Sequence, residues 1–513
     1  MQAVTTALIS ALLVSAGSAL ADWPTDPATP LFVGPINNGF DERAGIRSGS
    51  DGSVWLAWQE AYCQGDLLLQ HVTIDAELLA PNGLVIQDDP TCGFHLEPAM
   101  VVIDDSIVVA RGLSSLFDTP VQGFSDTGSA LWGDGFTVDE PLAFERMLGM
   151  DNGDVLLASR AFNTLNMDRL DGAGNPVWAK QLVFDSPSGA NFDILSIVPD
   201  GQDGGYVFWQ SHVNYVMQMY VMRVSSEGET MWDESVRLLD VLPPDRGASR
   251  HTHSEMVPDG QGGAIFVYSE GFEQGTSPAA LLMQRVLPDG SLSFEKPGVR
   301  VSMGSERQFD VDLEHDPVTG DALITWRDGF LDTQSVRAQR MNINGDRLWG
   351  EEGIELAPLT HSVFPDTQYT GSYDSVWVNN TLKTAVGAPE SITLVHTNAS
   401  GSINSSSLVG TVGPASFVKA AASYDGVVIS WQVDGPLHDD LLVAQRVNRL
   451  GQLGGASLCP ADLTGEGVLD FFDVSAFLNG FTNQNAIADF NSDGQFNFFD
   501  VSAFLAAFSA GCP

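Results

Sequence analysis

The feature that most constrains this chain is a repeat along residues 22–457. One element is a turn followed by a strand: Asp51-Gly-Ser-Val-Trp-Leu-Ala-Trp58, Gly204-Gly-Tyr-Val-Phe-Trp209, Gly262-Gly-Ala-Ile-Phe-Val-Tyr268, Gly320-Asp-Ala-Leu-Ile-Thr-Trp326 and Asp425-Gly-Val-Val-Ile-Ser-Trp431. The next element is a strand that ends in a turn: Gln284-Arg-Val-Leu-Pro-Asp-Gly290, Gln339-Arg-Met-Asn-Ile-Asn-Gly345 and Gln445-Arg-Val-Asn-Arg-Leu-Gly451. An aromatic residue often follows four positions after that glycine, as with Trp132, Trp178, Trp232, Phe294 and Trp349. Short Val/Ile/Trp-rich runs bounded by Gly and Asp turns are strand signals, and no segment of useful length here has the helical period.

Weaker copies at Ser106–Ala110, Gly153–Ala158 and Ser375–Val378 fill the gaps, so units start near residues 54, 107, 155, 207, 265, 323, 376 and 428. A period of roughly 50 residues with about four strands per unit is the pattern of a β-propeller blade. A blade cannot bury both of its faces alone, so blades stack radially and the ring must close. The expected fold is therefore all-β, an eight-bladed propeller. The degenerate copy near 376 leaves seven blades open. The last unit runs out of strand-like sequence after Gly451, whereas an earlier one continues into Gly298-Val-Arg-Val-Ser302. Pro30-Leu-Phe-Val-Gly-Pro35 has the character of the missing strand and is expected to close the ring, which removes both open edges.

Tryptophan and arginine at a fixed place in every unit belong to blade-to-blade packing, with Arg held at turn carbonyls; only unrepeated features can mark a site. His251-Thr-His253 puts two imidazoles on one strand face, without a third ligand at a telling spacing. The segments 212–219 and 272–278 read as long tip loops where a ligand surface could sit. Catalytic motifs are missing: there is no Gly-x-Ser-x-Gly, no His-Glu-x-x-His and no Gly-Lys-Ser/Thr phosphate loop. Ser50-Asp-Gly-Ser-Val-Trp55 departs from the Ser-x-Asp-x-Gly-x-x-Trp box of sialidase-type propellers in the place of its glycine.

Residues 458–513 carry a different pattern, one unit written twice at an offset of 27 residues. The first loop places oxygen-bearing side chains at positions 1, 3, 5, 9 and 12 as Asp462, Thr464, Glu466, Asp470 and Asp473; the second does so as Asp489, Asn491, Asp493, Asn497 and Asp500. Gly467 and Gly494 stand at position 6, and the backbone carbonyls of Val468 and Gln495 serve position 7. A hard cation such as calcium takes six to eight oxygens, and this odd-numbered spacing wraps a short loop around one ion. Two bound Ca2+ ions are expected. Each loop runs into Phe-Phe-Asp-Val-Ser-Ala-Phe-Leu, and both end in Asp where an EF-hand has Glu.

This loop-then-helix duplication resembles dockerin domains. With its Cys-Pro-Ala-Asp opening and Ala-Gly-Cys-Pro ending, it is similar to the GC-type dockerins found at the C-termini of bacterial secreted proteins. The resemblance covers only this tail. It implies a small α-helical, calcium-dependent module that plugs its carrier into a cohesin-like or other surface or scaffold protein. It places Phe471, Phe472, Phe498 and Phe499, at loop positions 10 and 11, beside the surface that meets the partner. Thr464 and Glu466 depart from the pattern of the second loop. 

Residues 1–21 read as an export signal, with an apolar run from Leu8 to Ala16 and a cleavage site at Ala19-Leu-Ala21, although no Lys or Arg stands near Met1. The four cysteines are an even number, which in an oxidising compartment suggests pairs. Cys459 and Cys512 bracket the dockerin-like tail, and closing so long a loop is worth about 4 kcal/mol in the chain-entropy model. Cys63 and Cys92 would then pair within the first repeat. With 23 basic against 66 acidic residues, the formal charge is −43. A field of that sign repels phosphate backbones and anionic lipid, which makes nucleic acid and membrane surfaces poor partners for this chain. No run approaches the length of a membrane span.

Two functions remain open at this level. One is an exported, non-enzymatic propeller, extracellular or attached to a cell surface and held there by its tail. The other is a carbohydrate-active enzyme with a polysaccharide substrate and a carboxylate pair in the propeller. The absent motifs favour the first.

Overall fold

A computed structural model describes residues 23–511, except 38–43, 60–65, 88–94, 114–118, 139–143, 162–163, 183–190, 214–215, 239–253, 271–279, 305, 330–333, 360–371, 389–390, 412–414, 424–425, 434–438, 449–450, 455–460, 462, 464–468, 483–487, 489 and 491–495. Thirty-two strands, numbered β1–β32 in chain order, form eight four-stranded antiparallel sheets among these residues. Blade 1 begins with β2 (Gly45–Ser48), blade 2 with β6 (His95–Ile103), blade 3 with β10 (Phe144–Gly149) and blade 4 with β14 (Asn191–Pro199). Blades 5 to 8 begin with β18 (Ser254–Pro258), β22 (Gln308–His315), β26 (Tyr373–Val378) and β30 (Ala415–Ser423). Each of these first strands contacts the first strand of the next blade, and β30 contacts β2, so the ring is closed with eight blades.

The closure is made by the N-terminal strand. β1 (Leu31–Asn37) pairs antiparallel with β32 (Asp439–Val447), in the order β1-β32-β31-β30, and so supplies the outermost strand of blade 8. Val33 and Ile36 of β1 are buried in the cluster that also takes in Trp58, Val428 and Leu442. Burial of two such side chains is worth about 3–6 kcal/mol, which ties the first and last blades together.

The repeated residues lock one blade to the next. In blades 3 and 4, Trp178 and Trp232 donate their indole N–H groups to the carbonyls of Ser226 and Pro288 in the following blade, at 2.8 and 3.1 Å. Trp349 does the same to Ala399, at 3.0 Å. Arginine reaches the same carbonyls: Arg169 Nη1 to Ser226 at 2.7 Å, Arg223 Nη1 to Pro288 at 3.4 Å and Arg340 Nη1 to Ala399 at 3.3 Å. Each Nε meets a carboxylate on its own blade: Asp154, Asp200, Asp259 for Arg285, and Asp321. The turn glycine receives the neighbour's tryptophan. At Gly401 (φ 84°) a Cβ would lie 2.6 Å from the ring of Trp349, and at Gly174 (φ 80°) 2.5 Å from Trp132. That is why glycine and tryptophan recur together.

Two expectations need correction. Blade 7 is a full blade, so the open alternative of seven falls away; the weak copy near 376 lies on its first strand, β26, whereas the other units are aligned on their second strands, whose counterpart here is β27 (Thr381–Ala388). The segment 212–219 is not a long loop. It closes the hairpin of β15 (Gly205–Val213) and β16 (Val216–Val224), which pair as far as Val213 and Val216. The strand expected at Gly298–Ser302 is the fourth of blade 5, β21 (Val299–Arg300), and the Val301 N–H extends its pairing by donating to the Leu281 carbonyl at 2.9 Å. Segment 272–278, His251 and His253 lie outside the described residues.

Candidate functional site

The tail has two helices, α1 (Phe471–Thr482) and α2 (Phe498–Ala510). Its core comes from equivalent positions of the two copies. Phe477 and Phe504, at the same place in each helix, stack with ring centroids 4.2 Å apart and planes 7° apart, and Phe490 meets both edge-on. Ala461, Leu463 and Ala488 are buried with them.

Positions 9 and 12 of each loop start the helices. Asp470 Oδ1 accepts from the N–H of Phe472, and Asp473 Oδ2 accepts from the N–H of Asp470, at 2.7 and 2.9 Å. The second copy repeats this: Asn497 Oδ1 accepts from Phe499 N and Asp500 Oδ2 from Asn497 N, at 2.8 and 2.9 Å. Such reciprocal capping satisfies N–H groups that a helix leaves unpaired at its start. Asp500 Oδ1 also accepts from the N–H of Phe490, at 2.8 Å, and so ties its helix to the beginning of its own loop. Asp473 and Asp500 are fully buried. Yet residues 458–513 contain no Lys, Arg or His.

The remaining loop positions, Asp462, Thr464, Glu466 and Val468 in the first copy and Asp489, Asn491, Asp493 and Gln495 in the second, lie outside the described residues, as do Cys63, Cys92, Cys459 and Cys512. The donor set fits calcium in chemistry: the position 12 carboxylates are held at the helix starts, and every other assigned ligand is an oxygen.

The expected partner-facing residues are all at the surface. Phe471, Phe472, Phe498 and Phe499 are 76, 64, 75 and 67% exposed. Leu478 and Leu505, two turns on in each helix, are exposed as well, a signal that the sequence reading missed although both close the repeated Phe-Leu pair. Each helix thus presents one apolar patch while its other face fills the core.

In the propeller, charged side chains stitch the inner strands. Arg47 Nε donates to the Met100 carbonyl and Arg146 Nε to that of Leu195, at 3.1 and 2.7 Å. On the other side of the ring carboxylates do this work: Asp312 Oδ2 accepts from Ser375 N and Asp374 Oδ2 from Ala420 N, at 2.8 and 2.6 Å. Burial, reinforced by Glu255, pushes the Asp312 carboxyl up to about 6, and burial beside Asp312 and Asp374 holds Glu314 well above the usual range. The bonds of Asp312 to the next blade account for its position without any substrate.

The chain is thus an eight-bladed β-propeller followed by a two-helix tail. No protein-family model and no curated protein matches its sequence. Among solved structures it is similar to the Dos1 propeller, at 10% identity and a TM-score of 0.46, over 82% of this chain and 97% of that one. It is also similar to the polysaccharide lyase Uly1, at 9% identity and a TM-score of 0.42, over 72% of this chain and 94% of that one. A Lactobacillus plantarum protein aligns at 12% identity with a TM-score of 0.39, over 73% of this chain and 97% of that one. At such identities no activity passes from these proteins to this chain.

Proposed function

We propose that the protein is an exported propeller, fixed to a surface or scaffold partner by a dockerin-like tail that folds around two calcium ions. The propeller serves as a binding platform. The observation that carries this reading is the complete burial of Asp473 and Asp500 in a segment without one basic residue. Burying an ionised carboxylate is expensive unless a cation compensates it, and seven acids within two short loops repel one another. A metal ion supplies the missing charge, and the binding energy becomes folding energy. Asp462, Thr464, Glu466, Asp470 and Asp473, with the Val468 carbonyl, would hold the first ion. Asp489, Asn491, Asp493, Asn497 and Asp500, with the Gln495 carbonyl, would hold the second.

The partner meets the exposed phenylalanines. Two such patches on repeated helices make two near-equivalent docking faces, and desolvated aromatic anchors supply most of the energy in interfaces of this kind. In the exported protein, Cys459–Cys512 and Cys63–Cys92 disulfides complete the fold.

Calorimetric titration of calcium into the metal-free full chain should show two equivalents. The Asp473→Asn/Asp500→Asn variant should take up neither tightly. Heat for fewer than two ions, or uptake unchanged in the variant, would refute the loop assignment. A polysaccharide screen of the full chain, scored for both retention and reducing-end release, tests the platform role; release would make the protein an enzyme.

A further inference from the structure

The inner seams of the ring are latched in two chemically different ways. In blades 1 and 3 the latch is a guanidinium: Arg47 and Arg146 donate to the Met100 and Leu195 carbonyls of the following blade. In blades 6 and 7 it is a carboxylate. Asp312 of β22 accepts from the N–H of Ser375, the residue after Asp374. Asp374 of β26 in turn accepts from the N–H of Ala420, the residue after Lys419. Glu314, two residues further along β22, accepts from the N–H of Trp377. Both acids of β22 thus hold β26. A guanidinium keeps its charge at every pH at which a protein folds, whereas a carboxylate titrates.

The acids of the blade 6–blade 7 seam face other acids. Glu255 of β18 acts on both Asp312 and Glu314, and Asp312 and Asp374 act on Glu314. Lys419 of β30 works the other way and favours the ionised form of Asp312. Lys383 of β27, beside β26, acts on His396 of its own blade. Tyr373, Asp310 and Arg327 are engaged with one another: Arg327 Nε pairs with Asp310 at 2.8 Å, and the Tyr373 hydroxyl donates to the Asp310 carbonyl. Apart from that pair, the described residues of the seam set four acids against two lysines.

Asp312 and Glu314 are half-buried, so protons reach them from solvent. Burial and the facing acids hold both carboxyls above their ordinary range. A group raised in this way gives stability that is full below its unfolded value and is lost as pH rises through its folded one. Behind Asp312 runs a chain of hydroxyls, from Thr325 to Ser375 at 3.1 Å and from Ser375 to Thr384 at 3.0 Å. A hydroxyl both donates and accepts, so this chain serves a protonated or an ionised Asp312 alike. The outer half of the same seam is locked by the Trp349 indole and the Arg340 guanidinium, both on the Ala399 carbonyl.

From this geometry we propose that the inner seam between blades 6 and 7 is a proton-operated latch. A protonated carboxyl keeps an oxygen that accepts, so Asp312 and Glu314 then hold β26 without mutual repulsion. Ionised, they repel each other, Glu255 and Asp374, and the inner edge of blade 7 loosens while its outer edge stays fixed. The seams latched by Arg47 and Arg146 do not respond. The latch lies wholly in the propeller and is independent of the tail and its calcium.

The test is hydrogen exchange of the calcium-loaded full chain at pH 5 and pH 8, read by mass spectrometry and corrected for the intrinsic pH dependence of exchange. Peptides that carry the Ser375 and Trp377 amides should lose at least tenfold in protection at pH 8. Those over residues 99–103 and 194–199, beside the arginine latches, should change less than twofold. Glu314→Gln keeps an acceptor for Trp377 and removes one charge, so it should cut the loss to threefold or less; adding Asp312→Asn should bring it below twofold. Asp168→Gln in blade 3 should leave the tenfold loss in place, which separates the latch from the other raised carboxyl described below. Equal protection of the wild-type chain at both pH values, an equal loss at the arginine-latched seams, or a loss undiminished by Glu314→Gln each overturns the proposal.

Discussion

Asp200 and Asp259 of the propeller are almost wholly buried, and each meets an arginine of its own blade at 2.7–2.8 Å. Asp473 and Asp500 of the tail are as deeply buried, in a segment that contains no basic residue at all. The ring carries its counter-charges in its own sequence, so its fold asks nothing of the medium. Under the calcium reading proposed above, the tail leaves its cations to the solution, and the chain would join a part that is stable by itself to a part whose folding is conditional on metal.

The largest expected effect follows directly. Chelating calcium from the full chain should abolish the calorimetric transition of the tail and leave that of the propeller within a degree or two. Loss of both transitions together would show that the regions are not separable in this way. Next, Arg340→Met should cost the propeller about 3–5 kcal/mol, because Asp316 and Asp321, both in contact with that guanidinium at 2.7 Å, would be left buried without it. The urea midpoint should fall equally with and without calcium.

A smaller effect of opposite sign is expected in blade 3. Asp168 stands where Gln122, Gln284 and Gln339 elsewhere accept from a backbone N–H and donate to a carbonyl. Burial raises its carboxyl to about 6 from an ordinary 3.8. A raised carboxyl gives stability that is full below the unfolded value and is lost as pH rises through 6. Asp168→Gln should therefore stabilise the ring by about 1 kcal/mol at pH 8, a figure reduced for partial solvent access, and by little at pH 4. A gain that does not shrink between pH 8 and pH 4 would assign it to the new hydrogen bonds alone. Smallest of all, Phe471→Ser/Phe472→Ser should change tail stability by less than about 0.5 kcal/mol, since both rings are exposed. The same variant should leave most partner affinity, whereas adding Phe498→Ser/Phe499→Ser should remove it while two calcium ions still bind.

Much of the ring was legible because the blade repeats its own punctuation: a turn, an apolar strand, Gln-Arg, a glycine and an aromatic. The closing strand was legible too, because the last unit lacked a partner and residues 30–35 held one. The inner latches were not. Asp312 and Asp374 look like any of 66 acids until the ring places Ser375 and Ala420 beside them. The stretch from His212 to Met219 misled because His, Asn and Tyr interrupt the alternation of its sequence, yet the residues on either side pair as far as Val213 and Val216. In the tail the phenylalanine pairs could be placed at the surface only once Phe477 and Phe504 were seen to fill the core.

The pairing of β1 with β32 also bears on the order in which a growing chain can finish folding. Residues 31–37 leave the ribosome well before residues 439–447 and must wait for them before blade 8 gains its last strand. Bringing together ends so far apart is the slowest kind of contact to make, and an interrupted chain exposes strand edges that invite aggregation. The tail is encoded beyond that point. A polypeptide that has acquired its two helices has necessarily been synthesised past residues 439–447, so attachment through the tail, as proposed above, would select for chains whose propeller can close.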